Sequence, residues 1–197
     1  LLKGNIDFKN KDNVIAIFKR GEEELGESFI TSIKSDMLYL GYKINELGLK
    51  TPSTSIFKGD KLSLPDGKYQ YLYVQESDLK NQTEQSIMSQ GMFRALSLII
   101  QVNYSLLAKK PSCILIDDIG EGLDFERASA MIKLLVSKAE AEKGLVQLIM
   151  TTNDRFIMNG VPLEYWSVIE RQPGLAKLHN IHNSKEIFDD FKFTGLN

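Results

Sequence analysis

The stretch Cys113-Ile-Leu-Ile-Asp-Asp118 constrains this chain more than any other. Four apolar residues, Cys113 to Ile116, run straight into two aspartates. Such a run predicts a fully buried strand that hands two carboxylates out of the interior at its end. Asp124 follows as an expected N-cap for a helix over "DFERASAMIKLLVSKAEAEK". A second buried strand is predicted over "GLVQLIMTT", Gly144 to Thr152. Buried strand, helix and buried strand in succession predict an α/β fold, a mainly parallel sheet covered by helices.

Ligands of such sheets bind beyond the carboxyl ends of the strands, where Asp117 and Asp118 fall. Two adjacent carboxylates repel unless a cation or a shared proton intervenes. Magnesium with a polyphosphate is the economical answer, one carboxylate serving the metal and the other an attacking water. The plain alternative is two aspartates opening a loop before a glycine-containing turn. Upstream, "SQGMFRALSLIIQVNYSLLAKK" predicts a long apolar helix with Ser89 as N-cap. Its amino end offers backbone N–H groups that favour an anion.

Taken together these stretches resemble the ABC-type ATPase head, in the branch of SMC-like, RecF-like and OLD-family proteins. "MSQGM" is similar to the signature motif, usually LSGGQ, with Ser89 and Gly91 retained and Arg94 where an arginine is common. "CILIDD" resembles Walker B, "GEGLD" the D-loop, and "IMTTND" the strand and switch. The four motifs stand in the family's order and cover about residues 84–160. The resemblance implies a P-loop NTPase fold, and specifically its carboxyl-terminal lobe. It implies ATP and magnesium as cofactors and a homodimer closed head to tail across ATP. Asp117 would serve the metal, and Asp118 and Asn153 the hydrolysis. Ser89, Gln90, Gly91, Met92, Arg94 and Asp124 would meet the nucleotide. Heads of this branch often serve DNA repair or antiviral defence beside an effector nuclease or toxin.

Three departures qualify that picture. Asp118 stands where the family normally has a glutamate, and its side chain is one methylene shorter. Asn153 replaces the switch histidine and carries no charge. The string nearest a Walker A loop, "GEEELGES" at Gly21 to Ser28, has Glu27 at the lysine position. Glu22 to Glu24 add further repulsion toward phosphate. That string is read as an accident, with the true P-loop expected upstream. The first residue, Leu1, is not methionine, as expected of a fragment or a processed chain. These departures leave room for a second class of function, an ATP-gated assembly or scaffold module with little hydrolysis.

The first 80 residues carry no motif that can be placed, and the remaining stretches are read for their elements alone. "NVIAIFKR", Asn13 to Arg20, reads as a strand, and Phe29 to Leu47 has helical spacing. Ser53 to Gln75 reads as strands around a Pro65-Asp66-Gly67 turn, and Glu76 to Ser86 as a loop. "YWSVIER" and "LAKLHNIH" read as edge strands about Gln172-Pro173-Gly174, and "SKEIFDDFKF" as a terminal helix. The expected division is a β-rich and helical portion, 1–83, and the ATPase lobe, 84–197. His179 and His182 point to opposite strand faces and are poor co-ligands. Trp166 is assigned to packing, or to a docking site on "PLEYW". A nuclease-type cluster of Asp117, Asp118, Glu121, Asp124 and Glu126 leaves the helix at Ser89 unexplained.

Composition narrows the classes further. A net charge of −2 does not announce nucleic-acid binding, although a local basic patch stays open. The single cysteine, Cys113, rules out an internal disulfide and is expected to be a small buried hydrophobe. No apolar run approaches the ~20 residues of a membrane span, and no signal peptide is evident. A cytoplasmic protein without a membrane partner is expected.

Overall fold

The computed structural model describes residues 13–51, 70–152, 154 and 161–193. They form two compact units. The first comprises Leu1–Cys113 with Glu142–Gln147, the second Ile114–Ala141 with Leu148–Asn197.

The first unit opens with two helices, α1 (Asn13–Leu25) and α2 (Glu27–Tyr39), joined at Gly26, which has φ +59°. The strand expected at Asn13–Arg20 is therefore helix. Its buried residues Val14, Ile17, Phe18 and Gly21 are spaced i, i+3, i+4, i+7, which is the period of a helix face and not of a strand. The "GEEELGES" string is the α1–α2 junction and not a phosphate loop. Helix α2 stops well short of Leu47. Tyr42 N–H donates to Met37 O and Gly41 N–H to Leu38 O, with Gly41 at φ +84°. This is the Schellman closure that a left-handed glycine permits. The chain then extends into β1 (Ile44–Lys50), which pairs antiparallel with β2 (Tyr71–Glu76). Strand β2 in turn pairs with the two-residue β3 (Thr83–Glu84), inside the stretch expected to be loop. The Pro65–Gly67 turn lies outside the described residues. Among the described residues the amino-terminal portion is thus a helical hairpin leading into a small antiparallel sheet.

Helix α3 (Gln90–Leu107) forms where the sequence predicts it and packs against α1 and α2. Phe18, Phe29, Ile33, Met37, Leu96, Ile99, Ile100 and Tyr104 make a dry core there. The Phe29 ring lies 5.9 Å from Phe18 and 6.4 Å, edge-on, from Tyr104. Asn103 on α3 donates to the buried carboxylate of Asp36 on α2 at 2.6 Å, and accepts from Ser32 at 2.7 Å.

Strands β4 (Ser112–Ile116) and β5 (Val146–Met150) pair in parallel. Ser112 N–H donates to Leu145 O at one end and Thr151 N–H to Ile116 O at the other, so the two chains advance together. Among the described residues this is the parallel pairing of the fold. Strand β4 is not fully buried. Ile114 and Ile116 face inward, while Leu115 is 71% exposed. Cys113 is exposed as well, contrary to the buried hydrophobe expected. The strand alternates because one of its faces carries no cover among the described residues. Strand β5 is likewise only partly buried.

In the second unit α4 (Phe125–Ala141) buries Ala128, Met131, Ile132 and Leu135, again at helical spacing. A 3-10 turn at Leu163–Tyr165 precedes the hairpin β6 (Ser167–Gln172) and β7 (Leu175–Asn180). Gln172 pairs with Leu175 across Pro173-Gly174, and Gly174 takes φ +75°, as a proline-glycine turn requires. Helix α5 (Lys185–Phe193) closes the unit through Phe188, which packs edge-on against Phe191. Trp166 lies 6.4 Å from the Phe191 ring and donates to Val161 O, so it serves packing. No helix among the described residues is long and apolar enough to cross a membrane.

Candidate functional site

The strand end at Asp117 is organised by one residue of the neighbouring strand's exit, Thr151. Its hydroxyl donates to Asp117 Oδ1 at 2.6 Å and accepts from Asp118 N–H at 2.9 Å. Its backbone binds the same segment twice, N–H to Ile116 O at 2.9 Å and C=O from Ile119 N–H at 3.0 Å. Asp118 takes φ +45°, a left-handed conformation uncommon outside glycine but tolerated by aspartate. The loop then closes on itself through Glu121 N–H to Asp118 O and Leu123 N–H to Gly120 O, with Gly122 at φ +77°. Asp117 is exposed and Asp118 half-buried, so both adjacent carboxylates remain within reach of solvent. The sequence reading missed Thr151. The available signal was a hydroxyl residue at the carboxyl end of the strand expected beside Asp117.

Asp124 caps α4. Its Oδ1 accepts from Arg127 N–H at 2.9 Å, and its other oxygen pairs with the Arg127 guanidinium. The Arg127 backbone donor, opposed by slight burial and reinforced by the guanidinium, holds the Asp124 carboxyl below its ordinary range. Among the described residues no three His, Cys, Asp or Glu side chains converge on a metal position. Asp117 can therefore offer one oriented carboxylate and not an all-protein cage. That donor set suits magnesium, which keeps several waters and takes the rest of its shell from phosphate.

The second cluster sits at the start of α3, in the other unit. Ser89 is the N-cap, with its Oγ accepting from Met92 N–H at 3.2 Å and its carbonyl from Phe93 N–H at 3.0 Å. Ser89 and Gln90 are exposed, Gly91 is buried, and Arg94 is half-buried. Met92 is only 3% exposed, so its side chain belongs to the core, and its N–H is taken by the cap. The Asp117 and Ser89 clusters belong to different compact units. Asn153 lies outside the described residues. Beside it, Thr152 Oγ1 accepts from Asp154 N–H at 3.1 Å. His179 bridges Glu170 at 2.9 Å and Ser184 at 2.6 Å, while His182 stands in the turn beyond β7, so the two do not form a ligand pair.

No family model matches the sequence, and no curated protein matches it significantly. Solved structures do match. One, from work on ATP-driven dimerization and DNA-stimulated activation of SMC ATPases, superposes with a TM-score of 0.52 at 13% identity, over 93% of this chain and 98% of that one. The Smc head domain with a coiled coil and joint from Pyrococcus yayanosii gives 0.56 at 14%, over 88% of this chain. An Smc head bound to the C-winged helix domain of ScpA gives 0.54 at 14%, also over 88%. The chain spans 31% and 51% of the latter two. At such identities the likeness is one of fold.

Proposed function

We propose that this chain, whose fold is that of the SMC-type ATPase head, is the signature-to-switch part of an ATPase that dimerises on ATP in the cytoplasm. The observation that carries the reading is Asp117, an exposed carboxylate at a parallel strand's carboxyl end, oriented by the Thr151 hydroxyl at 2.6 Å. Bound magnesium and ATP supply the electrophilic phosphoryl group and neutralise its charge. The chain's own residues position and polarise. Asp117 would hold the magnesium, which would supply charge neutralisation there. Asp118 orients the attacking water and takes its proton. Ser89, Gln90 and Gly91 present the amino end of α3 to the phosphates of the partner head, where the helix end favours negative charge. Asp124, tied to Arg127, sets the angle of α4 and couples the two sites. Asn153, at the position the switch motif implies, would serve the γ-phosphate. The motif-bearing lobe is 84–197, and 1–83 carries no assigned role.

A second reading, an assembly module that binds ATP and turns it over slowly, is favoured by the short Asp118 side chain. ATP-dependent dimerisation without turnover selects it. A protein partner on the head, and a place in DNA repair or antiviral defence, extend the proposal by analogy.

The test is subunit complementation in the full-length protein. Ser89→Arg should leave ATP binding to one head intact and abolish ATP-dependent dimerisation in analytical ultracentrifugation. Mixed with a variant lacking the P-loop lysine, it should regain part of the activity, because one composite site is then intact. Dimerisation of Ser89→Arg equal to the parent's overturns the assignment. A plain helix cap predicts only about 1 kcal/mol of stability lost on Ser89→Ala.

A further inference from the structure

The geometry points to Thr151 as the positioning residue that lets an aspartate do the work of a glutamate at position 118. The inference rests on the ATPase reading of this loop. Its physical basis is the set of four hydrogen bonds from one residue to the segment Ile116 to Ile119. The direction of the two hydroxyl bonds is forced. An amide N–H only donates and an ionised carboxylate only accepts, so the hydroxyl accepts from Asp118 N–H and gives its proton to Asp117. One side chain thereby fixes the carboxylate of Asp117 and the backbone of Asp118 together.

The backbone it fixes is unusual. A strand that simply ran on past Asp117 would keep position 118 extended, and the Asp118 carboxylate would fall about 1 Å short of a glutamate's reach. Here the chain turns at Asp118 into the left-handed region, φ +45°. Aspartate accepts that region because its short polar side chain bonds locally, whereas longer side chains are disfavoured there. The rotation at Asp118 leaves its Cα in place and redirects the Cα–Cβ bond, and with it the direction in which the carboxylate departs. A shorter acid thus departs in a new direction from a turned backbone, and the Thr151 hydroxyl anchors the peptide plane that enters the turn while its carbonyl anchors the plane that leaves it.

The experiment uses Thr151→Val and Thr151→Ser in the full-length protein. Valine keeps the branched shape and the strand backbone but has no hydroxyl. In Thr151→Val the Asp118 amide should exchange with solvent deuterium roughly tenfold faster, the weight of one lost hydrogen bond. The Ile119 amide, bonded to the Thr151 carbonyl that valine retains, should stay within about threefold of the parent. In steady-state assays kcat should fall roughly tenfold while the KM for ATP moves less than about threefold. Thr151→Ser should restore both readouts. A Thr151→Val protein with parental Asp118 exchange overturns the inference, as does a Thr151→Ser protein that shows the valine defect. Asp118→Asn separates the two levels of argument. If it retains turnover, the role of Asp118 in the ATPase reading fails. If it abolishes turnover while Thr151→Val leaves kcat intact, the Thr151 inference alone fails. Where the parent has no measurable turnover, the contrast between Asp118 and Ile119 exchange decides.

Discussion

Gly21→Ala sets two effects of known size against each other. Gly21 lies inside α1, where alanine is favoured over glycine by about 1 kcal/mol. Helix propensity alone therefore predicts a more stable protein. Packing predicts the reverse. A Cβ at Gly21 would fall 2.5 Å from Phe29 Cζ and 2.7 Å from Cδ1, with Cε1 nearer still. The ring is fully buried between Phe18 and Tyr104 and cannot swing clear without moving them. Overpacking a core by a methyl costs about 1–3 kcal/mol, and contacts this short belong at the upper end. The net loss is about 2 kcal/mol, or roughly 4–8 °C in Tm for a chain of this size. Circular dichroism during thermal and urea unfolding measures it. Phe29→Leu in the Gly21→Ala background should recover about 1 kcal/mol relative to the sum of the single changes. A Gly21→Ala protein as stable as the parent would refute the packing argument and with it the reason given for a glycine here.

Two further outcomes follow from the same unit. Asn103→Ala removes the 2.6 Å amide donor from the buried Asp36 carboxylate and should cost about 2–3 kcal/mol in urea unfolding, with Asp36→Leu/Asn103→Leu losing less than Asn103→Ala. For Glu24, slight burial raises the carboxyl, but the Tyr104 hydroxyl and the Lys110 ammonium together bring it below its usual 4.5. Its folded value lies under its unfolded one, so its stabilisation is full above pH 4.5 and is lost as pH falls through the folded value. Glu24→Gln should make acid unfolding shallower below that pH, and an unchanged acid limb would remove Glu24 from it.

Much of this molecule was decided locally. Ser89 caps α3 and Asp124 caps α4 because a side-chain oxygen at a helix start needs only the next turn's N–H groups. Pro173-Gly174 makes its hairpin for an equally short-range reason. The strand ending on Asp117 and Asp118 is likewise visible in six consecutive letters. Asn13 to Arg20 is a local matter too, because Val14, Ile17, Phe18 and Gly21 stand at spacing three and four. Other features depended on partners distant in sequence. Gly21 is glycine because of a ring eight residues away on another helix. Strand β4 is buried on one face only because burial depends on what packs over it, which an apolar run cannot specify. The left-handed turn at Asp118 and the orientation of Asp117 both depend on Thr151, 33 and 34 residues further along the chain. The sequence by itself determined which chemical groups stand at the end of β4. Tertiary structure decided how they are held, because a hydrogen bond across two strands exists only once pairing has set their register.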